Sequence, residues 1–342
     1  MNKSTNLSHN RKAVQQSLLI DCLSDGLFHS GENLGVRMGI SRAAVWKYIK
    51  SLGELGITVD SVRGRGYRVE GGLDLLDMNR MNKLFSQSGL ALLGEINLFK
   101  TIDSTNVWLI ERIEQGLAKS GDLCLAEQQT AGRGRRGRTW VSPFGRNLYC
   151  SLVWKFDKGM NALEGLSLAV AVAIVEALNE AGVPDLALKW PNDIQGQGKK
   201  LAGILLEVRG DLSDNCDLVV GIGLNFFMPS LAAKEIDQAW IDLEQLMQKK
   251  ADRNYFSALI IDHVLHALVE FDQKGFDAFL NRWNCWDAYR GRSVSVIAGK
   301  DIQEGVALGV NHQGALLLET DTGIKVFHGG EVSLRRSHEV VA

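Results

Sequence analysis

The sequence predicts an α+β protein in three parts: an N-terminal winged helix-turn-helix, a central mixed sheet with packed helices, and a small C-terminal β-barrel. Three observations carry this. Two short helical stretches flank the turn Gly39-Ile40-Ser41 and lead into strands joined through Arg63-Gly64-Arg65-Gly66. The middle of the chain alternates helical patterns with short, hairpin-linked strands, which favours a largely antiparallel sheet with helices on one face. After Gly291, short strands recur at even spacing between glycine turns. At 342 residues the chain exceeds what one core usually organises, and boundaries are expected at 1–72, 73–290 and 291–342.

Composition narrows the classes. Hydrophobic content of 45% supports packed cores, and a net charge of -2 creates no global field for nucleic acid. The charge is uneven, however: residues 1–70 carry ten Lys or Arg against six Asp or Glu, and the remainder is net acidic. A locally basic module on an acidic body suits DNA binding by the first part alone. Five scattered cysteines show neither metal-ligand spacing nor a disulfide framework, and no signal segment or long apolar run appears. A cytoplasmic protein without a membrane span is expected.

In the first part, Ala13 to Leu23 has the apolar spacing of an amphipathic helix. Ser30 or Gly31 starts the next helix, and Ser41 caps the one after it, Arg42 to Leu52. The second helix of such a pair enters the major groove. Ser41, Arg42, Trp46 and Lys47 are therefore the candidate DNA contacts, with Ala43, Val45 and Ile49 facing the small core. Arg63 and Arg65, at the wing tip, are placed to reach backbone or minor groove. A winged helix serving protein–protein contact is the alternative on pattern alone.

Further along, Asn97 to Ile102 reads as a strand and Val107 to Gln115 as a helix, with Asp103 or Ser104 as its cap. Ser104-Thr105-Asn106 at this helix start offers hydroxyls, an amide and free N–H groups, a polar site for a neutral cyclic urea or a carboxylate. Leu123 to Ala126 and Asn147 to Trp154 are strands on either side of Gly132-Arg133-Gly134-Arg135-Arg136-Gly137-Arg138. Glycines that turn freely and arginines with a rigid donor fork make this a loop suited to closing over an anion. A basic surface loop or an RNA-binding segment is the plain alternative. Leu163 to Leu178 is apolar all round and reads as a buried helix. Leu186 to Trp190 is a strand whose Lys189 invites a carboxylate such as Asp193. Lys200 to Glu207 and Leu218 to Asn225 are further strands, and helices over Tyr255 to Phe271 and Phe276 to Trp283 cover the sheet. No dinucleotide fingerprint or phosphate loop of the GxxxxGK type is present.

Taken together, Ser104-Thr105-Asn106, the Gly132–Arg138 loop with Trp140, Lys189-Trp190-Pro191-Asn192-Asp193, Lys200-Leu201-Ala202-Gly203, Gly221-Ile222-Gly223-Leu224-Asn225 and Gly329-Gly330-Glu331-Val332-Ser333-Leu334-Arg335 resemble, in order and spacing, the bifunctional bacterial biotin–protein ligases that also repress the biotin operon. The resemblance covers nearly the whole chain. It implies a class II synthetase-like ligase domain, an SH3-like C-terminal barrel, and ATP, biotin and Mg²⁺ as ligands. It also implies that Ser104, Thr105, Asn106, Gln129 and Gly132 bind biotin, with Arg133, Arg135 and Lys200 at its carboxylate and the activating phosphate. Arg138, Trp140, Asn192, Asn225 and Arg335 fall on the adenylate side, and Asp193 near Mg²⁺. The implied partners are the biotin carboxyl-carrier protein of acetyl-CoA carboxylase, biotin operator DNA, and a second copy of the chain in a homodimer favoured by biotinyl-AMP.

The residue types fit such chemistry. Cationic, amide and hydroxyl groups predominate, and no nucleophile–base pair stands in the right context, so the nucleophile is the substrate's own carboxylate. Two rivals belong to other classes: a ligand-sensing repressor without ATP turnover, and a lipoate or octanoyl ligase.

Overall fold

The computed structural model describes residues 14–69, 71–210, 215–298, 301–329 and 332–336. A helix over residues 14–23 (α1) precedes α2 (Gly31–Met38) and α3 (Arg42–Leu52). The predicted caps are in place: Ser30 Oγ accepts from Asn33 N, and Ser41 Oγ from Ala44 N. Gly39 ends α2 at φ 64°, a left-handed conformation that glycine adopts without Cβ strain. The wing pairs β1 (Asp60–Val62) with β2 (Gly66–Arg68). At Gly66 a Cβ would stand 2.1 Å from His29 O, so only glycine lets the hairpin close on the helices. Leu19, Leu23, Leu34, Val45 and Leu52 are fully buried between the three helices. Ala43 is exposed, contrary to expectation; the inward stripe of α3 runs through Val45, Ile49 and Leu52, and Ala43 lies off it.

The central part begins with α4 (Met78–Met81) and α5 (Gln87–Leu92). There follow β3 (Ile96–Phe99), α6 (Thr105–Glu114), β4 (Leu123–Ala126), β5 (Leu148–Phe156) and α7 (Leu166–Glu180). β6 (Leu186–Lys189), β7 (Asp193–Gly196), β8 (Lys199–Gly210) and β9 (Cys216–Leu224) come next. Helices α8 (Ser230–Ala233), α9 (Leu243–Met247), α10 (Arg253–Lys274) and α11 (Asp277–Trp286) complete this part. The seven strands form one sheet in the order β3-β4-β5-β9-β8-β7-β6, parallel only between β3 and β4.

Alternation along the strands divides the packing. Leu125, Cys150, Leu152, Leu218 and Val220 belong to the large core with α7 and α10. Cys124, Val153 and Val219, one position out of phase, pack with Leu109 and Ile110 of α6. Helices therefore lie on both faces, which corrects the one-face expectation; the second face carries α6 and the ligand cleft.

The chain entering this body is held by a buried ion pair. Arg253 Nη1 donates to Glu127 Oε2 at 3.0 Å and Nη2 to Asn147 O at 2.8 Å, while Leu76 N donates to Glu127 Oε1 at 2.6 Å. Both side chains are essentially inaccessible.

The last part is a five-stranded antiparallel sheet: β10 (Ser293–Ala298), β11 (Asp301–Val310), β12 (Leu316–Thr320), β13 (Gly323–Phe327) and β14 (Val332–Arg336), ordered β13-β12-β11-β10-β14. Trp190 Nε1 donates to Gly314 O at 3.1 Å and fastens it to the central body. Gly314 has no room for a Cβ, which would fall 2.7 Å from the Cα of Gly165. No helix among the described residues is long and apolar enough to cross a membrane.

Candidate active site

A cleft of about 800 Å³ opens at the ends of β7, β8 and β9 and is roofed by the arginine–glycine loop. Its floor is made of glycines for a steric reason. A Cβ on Gly223 would stand 2.5 Å from the Trp140 ring, and one on Gly221 2.2 Å from Asn106 Oδ1. The loop folds back on itself: Trp140 N donates to Gly132 O at 2.9 Å, and Gly134 N to Arg138 O at 2.7 Å. Between them Arg135–Gly137 forms a 3-10 turn with Arg136 at φ 59°.

One end of the cleft is lined by neutral polar groups, with the Glu207 carboxylate and Arg133 at its margin. Gln129 Oε1 accepts from Thr105 N at 2.9 Å and Thr105 Oγ1 at 3.1 Å. The expected cap of α6 is thereby corrected: Ser104 makes no capping bond, Asp103 Oδ1 accepts from Ser104 N, and the N–H of Thr105 is met by Gln129 from the segment bridged to Ile102. The Ser151 hydroxyl lies 2.6 Å from Thr105 Oγ1 and 2.5 Å from Asn106 Oδ1. Asn106 Nδ2 donates to Glu207 Oε2 at 2.8 Å, and Glu207 Oε1 stands 4.0 Å from Arg133 Nη1.

The other end is cationic. Lys200 Nζ lies 2.7 Å from Asp193 Oδ1 and 5.5 Å from the centre of the Trp140 ring. Asp193 thus pairs with Lys200 and not with Lys189, for which it was one of the carboxylates the sequence offered. A register shift between Ile194 and Gln195 accompanies the turn of this carboxylate toward β8. Lys189 instead has its Nζ 5.7 Å from the Tyr289 ring centre. Arg135 Nη1 donates to Asn192 Oδ1 at 2.9 Å, and Nη2 to Gly329 O of the last part. Burial holds the Arg135 pKa below its usual value, partly offset by the charge of Asp193. Trp140 Nε1 is buried without an acceptor among the described residues, on the side of the ring that lies against Gly223.

Nearly all the predicted site residues meet here: Ser104, Thr105, Asn106, Gln129, Arg133, Arg135, Arg138, Trp140, Asn192, Asp193, Lys200 and Asn225 all line the cleft. Gly132 lies behind the wall, where a Cβ would strike Trp140 O. Asn225 Nδ2 is committed to Ile241 O at 3.2 Å, so it fastens the wall. Arg335 lies in β14, paired with Ser295, and its side chain falls outside the described residues. Sequence reading missed Ser151 and Glu207, whose signals were a polar residue in an apolar strand and an acid closing one. It also missed residues 239–241, which clasp the backbone of Lys200 on both sides.

On the winged helix, Arg42, Trp46, Lys47, Arg63 and Arg65 are all exposed. Trp46 carries Lys50 Nζ 4.0 Å from its ring centre, and Arg65 lies 4.1 Å from that of Phe28. Ser41 is exposed too, but its hydroxyl is engaged as the helix cap.

Three family models match the chain: a helix-turn-helix domain over residues 15–68, the biotin/lipoate A/B protein ligase family over 98–225, and the biotin protein ligase C-terminal domain over 290–335. The bifunctional ligase/repressor BirA of Salmonella typhimurium is 43% identical, covering 93% of this chain and 96% of its own length. That of Escherichia coli is 42% identical, with 94% and 97% covered. Among solved structures, the biotin protein ligase from Aquifex aeolicus in complex with biotin and ATP matches with a TM-score of 0.61 at 31% identity, covering 72% of this chain and all of that one. With the cleft and the winged helix both accounted for, the chain belongs to the biotin protein ligases of the bifunctional ligase/repressor kind.

Proposed function

We propose that the protein joins biotin to the carrier protein of acetyl-CoA carboxylase through biotinyl-5'-AMP, and that its winged helix binds biotin operator DNA as a repressor. One observation carries the ligase reading: an end rich in neutral hydrogen-bonding groups and a cationic end share one cleft. Biotin has that polarity, a urea ring at one end and a carboxylate at the other. A dithiolane such as lipoate would leave Thr105, Asn106 and Gln129 facing a group with no hydrogen bonds to offer, a penalty that favours biotin.

In the first step the biotin carboxylate attacks the α-phosphate of ATP and pyrophosphate leaves. Ser104, Thr105, Asn106 and Gln129 hold the ureido ring. Lys200, Arg133 and Arg135 neutralise charge at carboxylate and phosphate, and to do so Arg135 exchanges Asn192 and Gly329 for the ligand. Trp140 offers its ring to the adenylate side, with Arg138 and Asn192 beside it. Among the described residues no group of three His, Cys, Asp or Glu could hold a metal, and Asp193 is already engaged by Lys200. Mg²⁺ fits as an ion carried on the nucleotide phosphates, with Asp193, Glu235 and Asp237 as the carboxylates lining the cleft; it would screen phosphate charge. In the second step the carrier lysine amine attacks the mixed anhydride and AMP leaves, the closed loop keeping water out.

The division into a DNA-binding part (1–72), a catalytic part (73–290) and an SH3-like C-terminal part (291–342) accompanies this reading. So do a cytoplasmic setting and a homodimer favoured by biotinyl-AMP. ATP–pyrophosphate exchange with biotin or lipoate as the added acid is the test. Exchange with biotin alone supports the reading; exchange with lipoate favours the sister activity, and none with either acid leaves a ligand-sensing repressor.

A further inference from the structure

We infer that Phe144 is the positioning residue through which the state of the ligand loop reaches the winged helix, an inference that rests on the ligase reading above. Phe144 lies only four residues beyond Trp140, yet its ring is not part of the catalytic core. It is 3% exposed and packs in the same apolar cluster as Leu19, Leu23, Leu34, Leu52, Val69 and Leu73 of the first part and its connection.

The residues around it bind that connection to the exit of the loop. Ser142 Oγ donates to Trp140 O at 2.9 Å and stands 3.5 Å from Gln129 Nε2. Pro143 O accepts from the buried Tyr149 hydroxyl at 2.9 Å. Gly145, at φ 65°, donates its N–H to Glu127 O at 2.9 Å, and a Cβ there would press on Leu73 and Leu75 at 3.3–3.4 Å. Arg146 Nη1 donates to Gly72 O at 3.3 Å, and Glu127 itself holds Leu76 N. Residues 142–146 are thus at once the tail of the ligand loop and the socket of the chain leading out of the winged helix. A second, weaker link runs alongside, from Gln128 Nε2 to Leu55 O at 3.4 Å.

A loop that orders around a ligand fixes the backbone at Trp140 and Ser142. Through Phe144 that restraint enters the apolar core of the winged helix, which carries α3 and the wing. Because coupling between two sites is reciprocal, a winged helix held in place also favours the closed loop.

The test is hydrogen exchange by mass spectrometry on the full chain, with and without biotin plus ATP. It compares the unaltered protein with Phe144→Leu and Phe144→Ala. The unaltered protein is expected to show slowed exchange both at residues 129–142 and in peptides of the winged helix, by about fivefold in the latter. In Phe144→Leu, residues 129–142 should still respond, with the winged-helix response largely lost and its ligand-free exchange unchanged. Phe144→Ala should in addition raise the KM for biotin more than it lowers kcat, and by reciprocity Phe144→Leu should share the part of that rise that comes from the lost coupling. Should Phe144→Ala simply loosen the winged helix without ligand, Phe144→Leu decides. A winged helix that responds fully in Phe144→Leu, or not at all in the unaltered protein while residues 129–142 do, overturns the inference. Failure of residues 129–142 to respond in the unaltered protein instead overturns the ligase reading on which it rests.

Discussion

Lys200 and Asp193 face each other across adjacent strands with Nζ 2.7 Å from Oδ1, and the lysine also lies over the Trp140 ring. The carboxylate therefore holds the ammonium at the cleft. Lys200→Met is expected to slow adenylation about 100-fold or more, the scale of losing one aimed donor in a closed site. Asp193→Asn should lose a smaller factor, since the lysine survives but is no longer aimed. Biotin-dependent ATP–pyrophosphate exchange measures both; equal and small effects would remove the pair from the chemistry.

Glu207 holds the amide of Asn106 and neighbours Arg133, which gives a prediction for a residue outside every recognised motif. Glu207→Leu leaves the Asn106 Nδ2 donor unmatched, a loss of about 1.5–3 kcal/mol for a bond to a charged group. The KM for biotin should rise by at least tenfold on that scale, with kcat changed less. An unchanged KM would show that Asn106 is positioned without it.

Gly223 offers a steric test. The added methyl of Gly223→Ala would meet the Trp140 ring at 2.5 Å, and displacing a packed ring costs about 1–3 kcal/mol. Because the ring lines the cleft, the cost should fall on ligand retention. Faster loss of the bound intermediate, with thermal unfolding little altered, is the expected outcome.

The Arg253–Glu127 pair is inaccessible, and breaking it strands a buried charge. Arg253→Met should destabilise the protein by about 3–5 kcal/mol and lower Tm by roughly 6 °C or more. Calorimetry reading a shift near zero would contradict the assignment.

The thiols supply a pH test. Burial, with a smaller contribution from Asp103, pushes the Cys124 pKa up to about 12, and burial raises that of Cys150 as well. A pKa raised in the folded state favours the protonated thiol. The resulting stability is present below the unfolded thiol value near 9 and is lost as pH rises toward about 12. At pH 8.5, iodoacetamide should modify the exposed Cys285 while Cys124 and Cys150 react only on unfolding, as mass spectrometry of the native protein would report.

What could be read in advance follows from the range of the interactions. The caps at Ser30 and Ser41 and the turn at Gly39 act over three or four residues, so the helix-turn-helix was legible. Much of the cleft lining was legible because it lies in contiguous runs such as 104–106 and 189–193. Ser151 and Glu207 were not, since each becomes a site residue only after β5, β9 and β8 pair: Ser151 faces Gly221, and Glu207 faces Val219. The same distance in sequence hid the cap of α6, supplied by Gln129, and the partner of Asp193. Ala43 misled because a small apolar residue says little about which way a helix turns.

The hydrogen bond from Trp190 to Gly314, with Gly165 pressed against Gly314, bears on engineering by exchange of parts. A C-terminal segment transplanted from a relative must bring a backbone carbonyl to that indole and leave the Gly165 surface bare. A bulkier residue at 314 would wedge the graft away from the body, and with it the Gly329 carbonyl that Arg135 grips. Chimeras joined near residue 290 take position 314 from the second parent and should therefore have glycine at both 165 and 314 and tryptophan at 190. Those that lack one of the three are expected to fold as two loosely tethered pieces with an open reaction cleft.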